Sequence, residues 1–181
     1  MPTAPSHAAH LYDTTVPVLS RFLKQLQGLL DVAQRQLAAQ GLDEASLLHA
    51  RLVPDMMPLH QQAVVAVNFA FRTCAPLVQR TIDTAAPVDV SLAALRARIA
   101  QAQAFLDELR TDEFDGAAQR MAHDRAGLAD IALDGETYAT QYALPNFFFH
   151  LSMVYAILRQ NGIAIGKPDF DGWHAYPPIR G

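Results

Sequence analysis

The feature that most constrains the fold is a long run of mostly apolar residues near the N-terminus, spaced three or four positions apart. The run lies between His10 and Ala39, and its members are Leu11, Thr15, Val18, Phe22, Leu26, Leu29, Ala33 and Leu37. This spacing places one apolar face along a single long helix. Because such a face must be buried against other elements, the run predicts a packed helical domain. Pro17 lies inside the run and predicts a kink or a later start of the helix.

The second predicted long helix begins near Asp55 and ends near Pro76. Asp55 is suited to cap this helix by accepting a hydrogen bond from a backbone amide of the first turn. Pro58 then falls in the first turn, where its missing N–H costs no internal hydrogen bond. A short helical turn capped by Asp43 is predicted just before this helix, over residues 43–52.

Two more long helices complete the pattern. The third runs from Leu92 to about Thr111, with Ser91 or Asp89 as its cap. The fourth runs from Asn146 to Gln160, and Pro145 begins or kinks it. Four amphipathic helices bury their apolar faces best against one another, so the sequence predicts an all-α four-helix bundle.

The region before the last helix has the weakest periodicity. Residues 112–135 show only a short alternation at Ile131 and Leu133, which predicts a small hairpin or an irregular excursion. Residues 1–7 are predicted to form a loose lead-in, and residues 163–181 an irregular tail. We therefore expect the 181 residues to form a single helical-bundle domain.

Composition excludes several classes of protein. Hydrophobic residues make up 51% of the chain, too many for a disordered protein. The formal net charge is −4 and the sequence has no basic stripe, so we expect no nucleic-acid partner. The one cysteine, Cys74, cannot form an internal disulfide. We expect a cytoplasmic protein without a membrane partner, because there is no signal-peptide pattern and the most apolar window, residues 143–158, is shorter than the ~20 residues that cross a bilayer.

Two blocks of sequence carry a resemblance to a known family. One is Arg51-Leu-Val-Pro-Asp-Met-Met-Pro-Leu59 followed by Gln62, and the other is Leu144-Pro-Asn-Phe-Phe-Phe-His150 with its continuation to Phe170. They resemble an uncharacterised family of small, mainly bacterial proteins with a domain of unknown function, placed in the DinB/YfiT-like metalloenzyme superfamily. The resemblance spans nearly the whole chain and implies a four-helix bundle that frequently dimerises.

The same resemblance implies a metal site. Better-known members of the superfamily hold a divalent metal with three histidines, one on the second helix and two in a His-x-x-x-His pair on the last. Some of them transfer or isomerise thiol-linked substrates. In this chain His150 matches a ligand position, but no histidine stands four residues later, and His60 is the candidate on the second helix. One function implied for the chain is therefore a metal-dependent transferase or hydrolase-like enzyme in which His60 and His150 bind zinc, nickel or iron. A third ligand would come from Asp55, His49 or Glu136.

The other function is a bundle protein with an incomplete ligand set. Asn146 and His150 share one face of a helix because they are four residues apart. We predict a polar pocket near His150 for an unknown small molecule, formed by Asp55, Gln62, Tyr138, Asn146 and His150. The missing histidine pair favours this second function over the metalloenzyme.

Three consecutive phenylalanines, Phe147, Phe148 and Phe149, cover most of the circumference of the last helix. They indicate either a central core helix or a ring that crosses a subunit interface, where aromatic residues are enriched. We expect a homodimer.

Overall fold

Most of the chain is helical in the computed structural model, which describes residues 7–176. The helices in chain order are α1 (His7–Gln40), α2 (Glu44–Leu48), α3 (Leu59–Cys74), α4 (Leu92–Asp107), α5 (Gly135–Thr137), α6 (Leu144–Gln160) and α7 (Lys167–Asp171). A 3-10 turn at Thr111–Phe114 and two strands, β1 (Met121–Ala126) and β2 (Ala129–Asp134), lie between α4 and α5. Residues 1–6 of the predicted lead-in and 177–181 of the predicted tail lie outside the described residues.

The four long helices, α1, α3, α4 and α6, enclose the hydrophobic core. Helix α3 packs against the other three, and α1 also contacts α4 and α6. Seven of the eight members of the α1 run are buried, and the eighth, Val18, is half-buried against the core. Burying one leucine side chain contributes about 2 kcal/mol, so this face alone explains why α1 packs along its whole length.

The chain is not purely helical, which corrects the all-α prediction. Strands β1 and β2 form an antiparallel hairpin in which Met121 is paired with Asp134 and Ala126 with Ala129. Gly127 in the turn has a φ of 61°, a left-handed conformation that glycine adopts at little cost. A hairpin was among the expected conformations of residues 112–135, and the alternating Ile131 and Leu133 lie on β2.

The predicted start of the second long helix is wrong. Helix α3 begins at Leu59, with Pro58 in extended conformation at its N-cap position, and Asp55 is exposed in the preceding turn. The reason is steric, because the ring of a proline disfavours helical backbone at the residue before it, here Met57. Asp43 precedes α2 but its side chain makes no capping bond, and α2 is shorter than predicted.

The predicted start of the third long helix is right. Ser91 is the N-cap of α4, and its Oγ accepts a hydrogen bond from the backbone amide of Ala94 at 3.0 Å. Such a cap satisfies one of the orphan amides at the start of a helix, typically for about 1 kcal/mol. Helix α4 ends at Asp107, four residues before the predicted end.

The backbone is continuously helical from α5 through to the end of α6. Asp134 caps α5, since its carboxylate accepts from the amide of Thr137 at 3.0 Å. The helix then widens into a π-helical segment, Tyr138–Ala143, and continues as α6 with Pro145 in its first turn. Single π-helical turns change the phase of a helix and are frequent at functional sites. Here the segment carries two tyrosines.

A membrane-spanning helix would need to be both long and strongly apolar. Within residues 7–176, no helix meets both conditions.

Candidate functional site

Three side chains of α3 mark the side of this helix that faces α6 and the π-helical segment: Gln62, Phe69 and Arg72. Gln62 and Phe69 are seven positions apart, two turns of a helix, and Arg72 follows within one further turn. Each of them makes a defined contact across the interface between these helices. The candidate site is therefore built on α3 and completed by its neighbours.

The first contact joins Gln62 to His150 on α6. Gln62 is 2% exposed, and its Oε1 lies 2.7 Å from Nδ1 of His150. The amide nitrogen of Gln62 donates to the carbonyl of Met57 at 3.4 Å, so the amide oxygen is the end that faces the imidazole. An amide oxygen only accepts, which assigns the proton of the neutral imidazole to Nδ1.

The imidazole of His150 is held in its neutral form. Burial lowers its pKa below the usual value, and the positive charge of Arg72 lowers it further. The ring also stacks on Phe69, with ring centres 5.9 Å apart and planes 17° from parallel. Nε2 makes no hydrogen bond to any residue between 7 and 176, so its lone pair is available to accept one.

The second contact is a network around Arg72. Its Nε and Nη2 donate to Oδ2 of Asp124 on β1 at 3.0 and 2.7 Å, and its guanidinium lies over Phe69 with Cζ 4.3 Å from the ring centre. Nη2 also lies 3.1 Å from the hydroxyl of Tyr142 and from the carbonyl of Arg125. The side chains of Arg72 and Asp124 are only 21% and 15% exposed, so this ion pair is mostly shielded from water.

Two tyrosines of the π-helical segment close this network. The hydroxyl of Tyr138 lies 2.9 Å from Oδ2 of Asp124 and 2.9 Å from the carbonyl of Arg72, and donates toward them. Burial raises the pKa of Tyr138 and of Tyr142, and the negative charge of Asp124 raises both further. Both phenols therefore stay protonated: Tyr138 donates toward Asp124, and Tyr142 accepts from Nη2 of Arg72.

The structure brings some predicted pocket residues together and separates others. Gln62 and His150 are in contact, and Asn146 lies one turn before His150, with its amide bonded to the carbonyl of Tyr142 at 2.7 Å. Tyr138 makes its hydrogen bonds with the Arg72 network instead of with His150. Asp55 is exposed in the turn before α3.

The residues of this region do not fit the ligand set of a zinc enzyme. His60 lies within hydrogen-bond distance of the carbonyl of Asp89, 2.9 Å away, and not of His150. Positions 60 and 62 point in nearly opposite directions from a helix, which explains why Gln62 meets His150 and His60 does not. Among residues 7–176 no three His, Cys, Asp or Glu side chains are grouped as metal ligands, whereas a catalytic zinc usually has three.

Sequence reasoning missed Phe69, Arg72 and Asp124. Phe69 and Arg72 lie on the same stripe of α3 as Gln62, so helical spacing was a usable signal for both. Asp124 gave no such signal, because its partner Arg72 is 52 residues away in the chain and the contact depends on how the hairpin folds back.

Comparisons with known proteins agree with this architecture. The profile of a domain of unknown function, DUF1993, matches residues 11–171. A crystal structure of a DinB family member protein from Shewanella denitrificans is similar to this chain, with 31% sequence identity and a TM-score of 0.82. The match covers 94% of this chain and 96% of that protein. No curated protein matches. The extent of both matches places the chain in a family: it belongs to the DUF1993 family of DinB-like proteins, a family of unknown function.

Proposed function

We propose that this protein is a homodimeric four-helix bundle that binds a small molecule at the Gln62–His150 pair. The pairwise packing of α1, α3, α4 and α6 supports the bundle. The ligand would carry a hydrogen-bond donor, such as a hydroxyl group, next to an apolar body. In this proposal His150 supplies the acceptor, and Gln62 positions it.

One observation carries the proposal: a neutral imidazole whose tautomer is fixed by a buried amide. Because the Gln62 oxygen accepts a hydrogen bond from Nδ1–H, the lone pair on Nε2 has a constant direction and does not depend on a rotating group. A fixed acceptor loses little entropy when a donor binds to it, which is the advantage of preorganisation. Nε2 is not among the buried side-chain atoms without a partner, so a ligand can reach it from solvent.

The surroundings of the pair supply the apolar component. Phe149, the residue before His150, is 52% exposed, and Met57, whose carbonyl holds Gln62, is 38% exposed. Phe147 is buried in the core, and Phe148 packs edge-on against Phe22. Of the three consecutive phenylalanines, Phe149 is thus the one whose ring is left for a partner. The Phe149 ring lies edge-on to His150 with ring centres 5.1 Å apart, so an exposed apolar surface adjoins the polar pair.

The ligand proposal is tested by nitrogen NMR of the histidine side chains, with phenol as the probe. Phenol has a hydroxyl donor on an aromatic body, and anisole is its match without the donor. In free protein we expect the His150 proton on Nδ1, and on adding phenol we expect a saturable shift of Nε2. His60, whose ring lies beside the Asp89 carbonyl, is the internal control and should not respond. A proton on Nε2 in the free protein, or an equal response to anisole, would overturn the proposal.

The dimer proposal has a separate test, light scattering after size-exclusion chromatography. We expect a mass of twice 19.8 kDa for the native chain and a shift toward the monomer for Phe149→Ser. Leu128→Ser is the matched control, because Leu128 is 94% exposed at the tip of the hairpin and far in sequence from the pair. A native protein that elutes as a monomer at micromolar concentration, or an equal effect of both substitutions, would contradict a dimer built on Phe149.

A further inference from the structure

A polar cavity is lined in part by Arg72, Asp124 and Tyr138 of the charged network and takes no part in the proposed function. It has a volume of about 240 Å³ and lies between the C-terminal part of α3, the connector at residues 80–84, β1 and Tyr138. Neither Gln62 nor His150 lines it. Its size suits a small organic molecule, somewhat below the usual range of drug-sized pockets.

Arg72 lines this cavity and has an unused donor group. Its Nε and Nη2 are engaged by Asp124, and its planar group is fixed over Phe69. Nη1, with its two N–H groups, makes no hydrogen bond within residues 7–176. The guanidinium is therefore held rigid through Nε and Nη2, while Nη1 is left for a ligand.

The carboxylate of Asp124 does not compete for that ligand's place. Oδ2 already accepts from Arg72 and Tyr138, and Oδ1 accepts from the backbone amide of Arg125 at 2.7 Å. A carboxylate with this many donors is satisfied. Arg80, a second arginine of the lining, forms an ion pair with Glu113, with Nη2 and Oε1 2.7 Å apart.

The rest of the lining combines hydroxyl donors with an apolar wall. The side chains of Thr81 and Thr84 both line the cavity, and neither hydroxyl is hydrogen-bonded to the part of the chain that the structure describes. Opposite the polar groups, Phe71 and Ile82 contribute apolar surface. Two N–H groups in a plane, two hydroxyls and an apolar wall fit a planar anion attached to an apolar body.

We propose that this cavity binds a small organic carboxylate, with Nη1 of Arg72 and the hydroxyl of Thr84 as donors and Phe71 as the wall behind its apolar part. A doubly charged phosphate fits less well, because the carboxylates of Asp124 and Glu113 lie beside the two arginines. A carboxylate carries one charge, and its two oxygens can accept from an N–H of Nη1 and from a hydroxyl.

The test is a titration of isotope-labelled protein followed by amide NMR at pH 7 and constant ionic strength. Benzoate is the probe, and benzamide is its neutral match. We expect saturable shifts with benzoate at residues 81–84 and 121–125, and binding at least about tenfold weaker for benzamide, which corresponds to the loss of one charged hydrogen-bonded contact. Inorganic phosphate is titrated as a competitor.

Variants keep the proposal open to refutation even if the Arg72 network is needed for folding. Arg72→Lys keeps the charge but loses the fork and should weaken benzoate binding. Thr84→Val removes only a hydroxyl outside that network and should also weaken it, whereas Thr111→Val, an exposed threonine of the 3-10 turn, should not. The proposal is overturned if benzoate gives no saturable shifts, if benzamide binds equally well, if phosphate binds and benzoate does not, or if the shifts cluster around His150. None of these outcomes depends on the response of His150 to phenol.

Discussion

Two polar contacts on the same side of α3 differ in charge and in how completely they are paired. Near the start of the helix, Gln62 and His150 are both neutral, and one nitrogen of the imidazole is unpaired. Ten residues later, about 15 Å along the helix axis, Arg72 and Asp124 carry full charges and are surrounded by partners. The neutral pair joins two long helices, while the charged network ties the hairpin to the helical body.

The difference follows from the energetics of burial. A neutral amide and imidazole can lose water on one side at moderate cost, so an unpaired nitrogen is tolerated at the edge of the core. A shielded ion pair cannot lose a partner without leaving an uncompensated charge. We therefore expect the charged network to contribute more to stability than the neutral pair does.

The largest effect is expected from breaking the charged network with Asp124→Ala. This change leaves Arg72 mostly shielded and without its anion. It should lower the free energy of unfolding by about 2 to 3 kcal/mol, somewhat less than breaking a fully buried pair, because both side chains keep some contact with water. Urea denaturation at pH 7 measures it. Asp130→Ala on the neighbouring strand, where the side chain is exposed, is the control and should change little.

A double variant separates loss of the pair from loss of the aspartate itself. If the cost comes from an unpaired charge, replacing Arg72 by methionine in the Asp124→Ala background should restore part of the lost stability. A cost below about 1 kcal/mol for Asp124→Ala would instead mean that the network behaves as an exposed surface ion pair.

The neutral pair should give a smaller effect. Gln62→Leu removes the acceptor for Nδ1 of His150 and the donor to Met57, and should cost about 1 kcal/mol, the usual net value of a hydrogen bond between uncharged groups. Gln61→Leu is the matched control, because Gln61 is the exposed neighbour on the same helix. If Gln62→Leu destabilises the protein more than Asp124→Ala, the ranking of the two contacts is reversed.

A contact in this comparison could be predicted from the sequence only when local patterns place both of its residues. The four long helices were predicted because their apolar spacing is a local property, and Gln62 and His150 were named from segments that lie on those helices. The Arg72–Asp124 pair was not predicted. It joins an α3 side chain to the hairpin, and no local sequence pattern indicates where the hairpin packs. Long-range pairing is the part of a fold that periodicity does not encode.

Local features of the sequence explain where two of the predicted pocket residues lie. Tyr138 is twelve residues before His150, about 18 Å along a helix, too far to share its hydrogen bonds. Asp55 was predicted to cap α3, but the proline at position 58 disfavours helical backbone at Met57, and the helix begins at Leu59. In both cases the geometry of the backbone outweighed the chemistry of the side chain.

The neutral pair should also change how the free energy of unfolding depends on pH, and this effect is expected to be smaller still. Because the pKa of His150 is lower in the folded chain than its ordinary value, the unfolded chain binds a proton first as pH falls. Stability should therefore decrease as the pH drops from about 6.5 through the lower pKa of the folded state. His150→Gln should flatten this part of the curve in urea titrations between about pH 7 and 5. Gln61→Leu, which keeps every histidine, should retain the native slope.

The smallest expected effect is that of added zinc on the thermal stability of the protein. A site with a Kd of about 1 µM would stabilise the protein by about 2.7 kcal/mol in about 100 µM free zinc, which is easily measured by thermal unfolding of tag-free protein. We expect no such stabilisation, because His60 and His150 face different neighbours and no third ligand stands with either among residues 7–176. Stabilisation that both His60→Ala and His150→Ala abolish, but that the exposed His49→Ala leaves intact, would contradict this expectation. It would also mean that the imidazole at position 150 accepts a metal ion where we have assigned it a hydrogen-bond donor, so the neutral pair would become the more strongly stabilised of the two contacts once loaded.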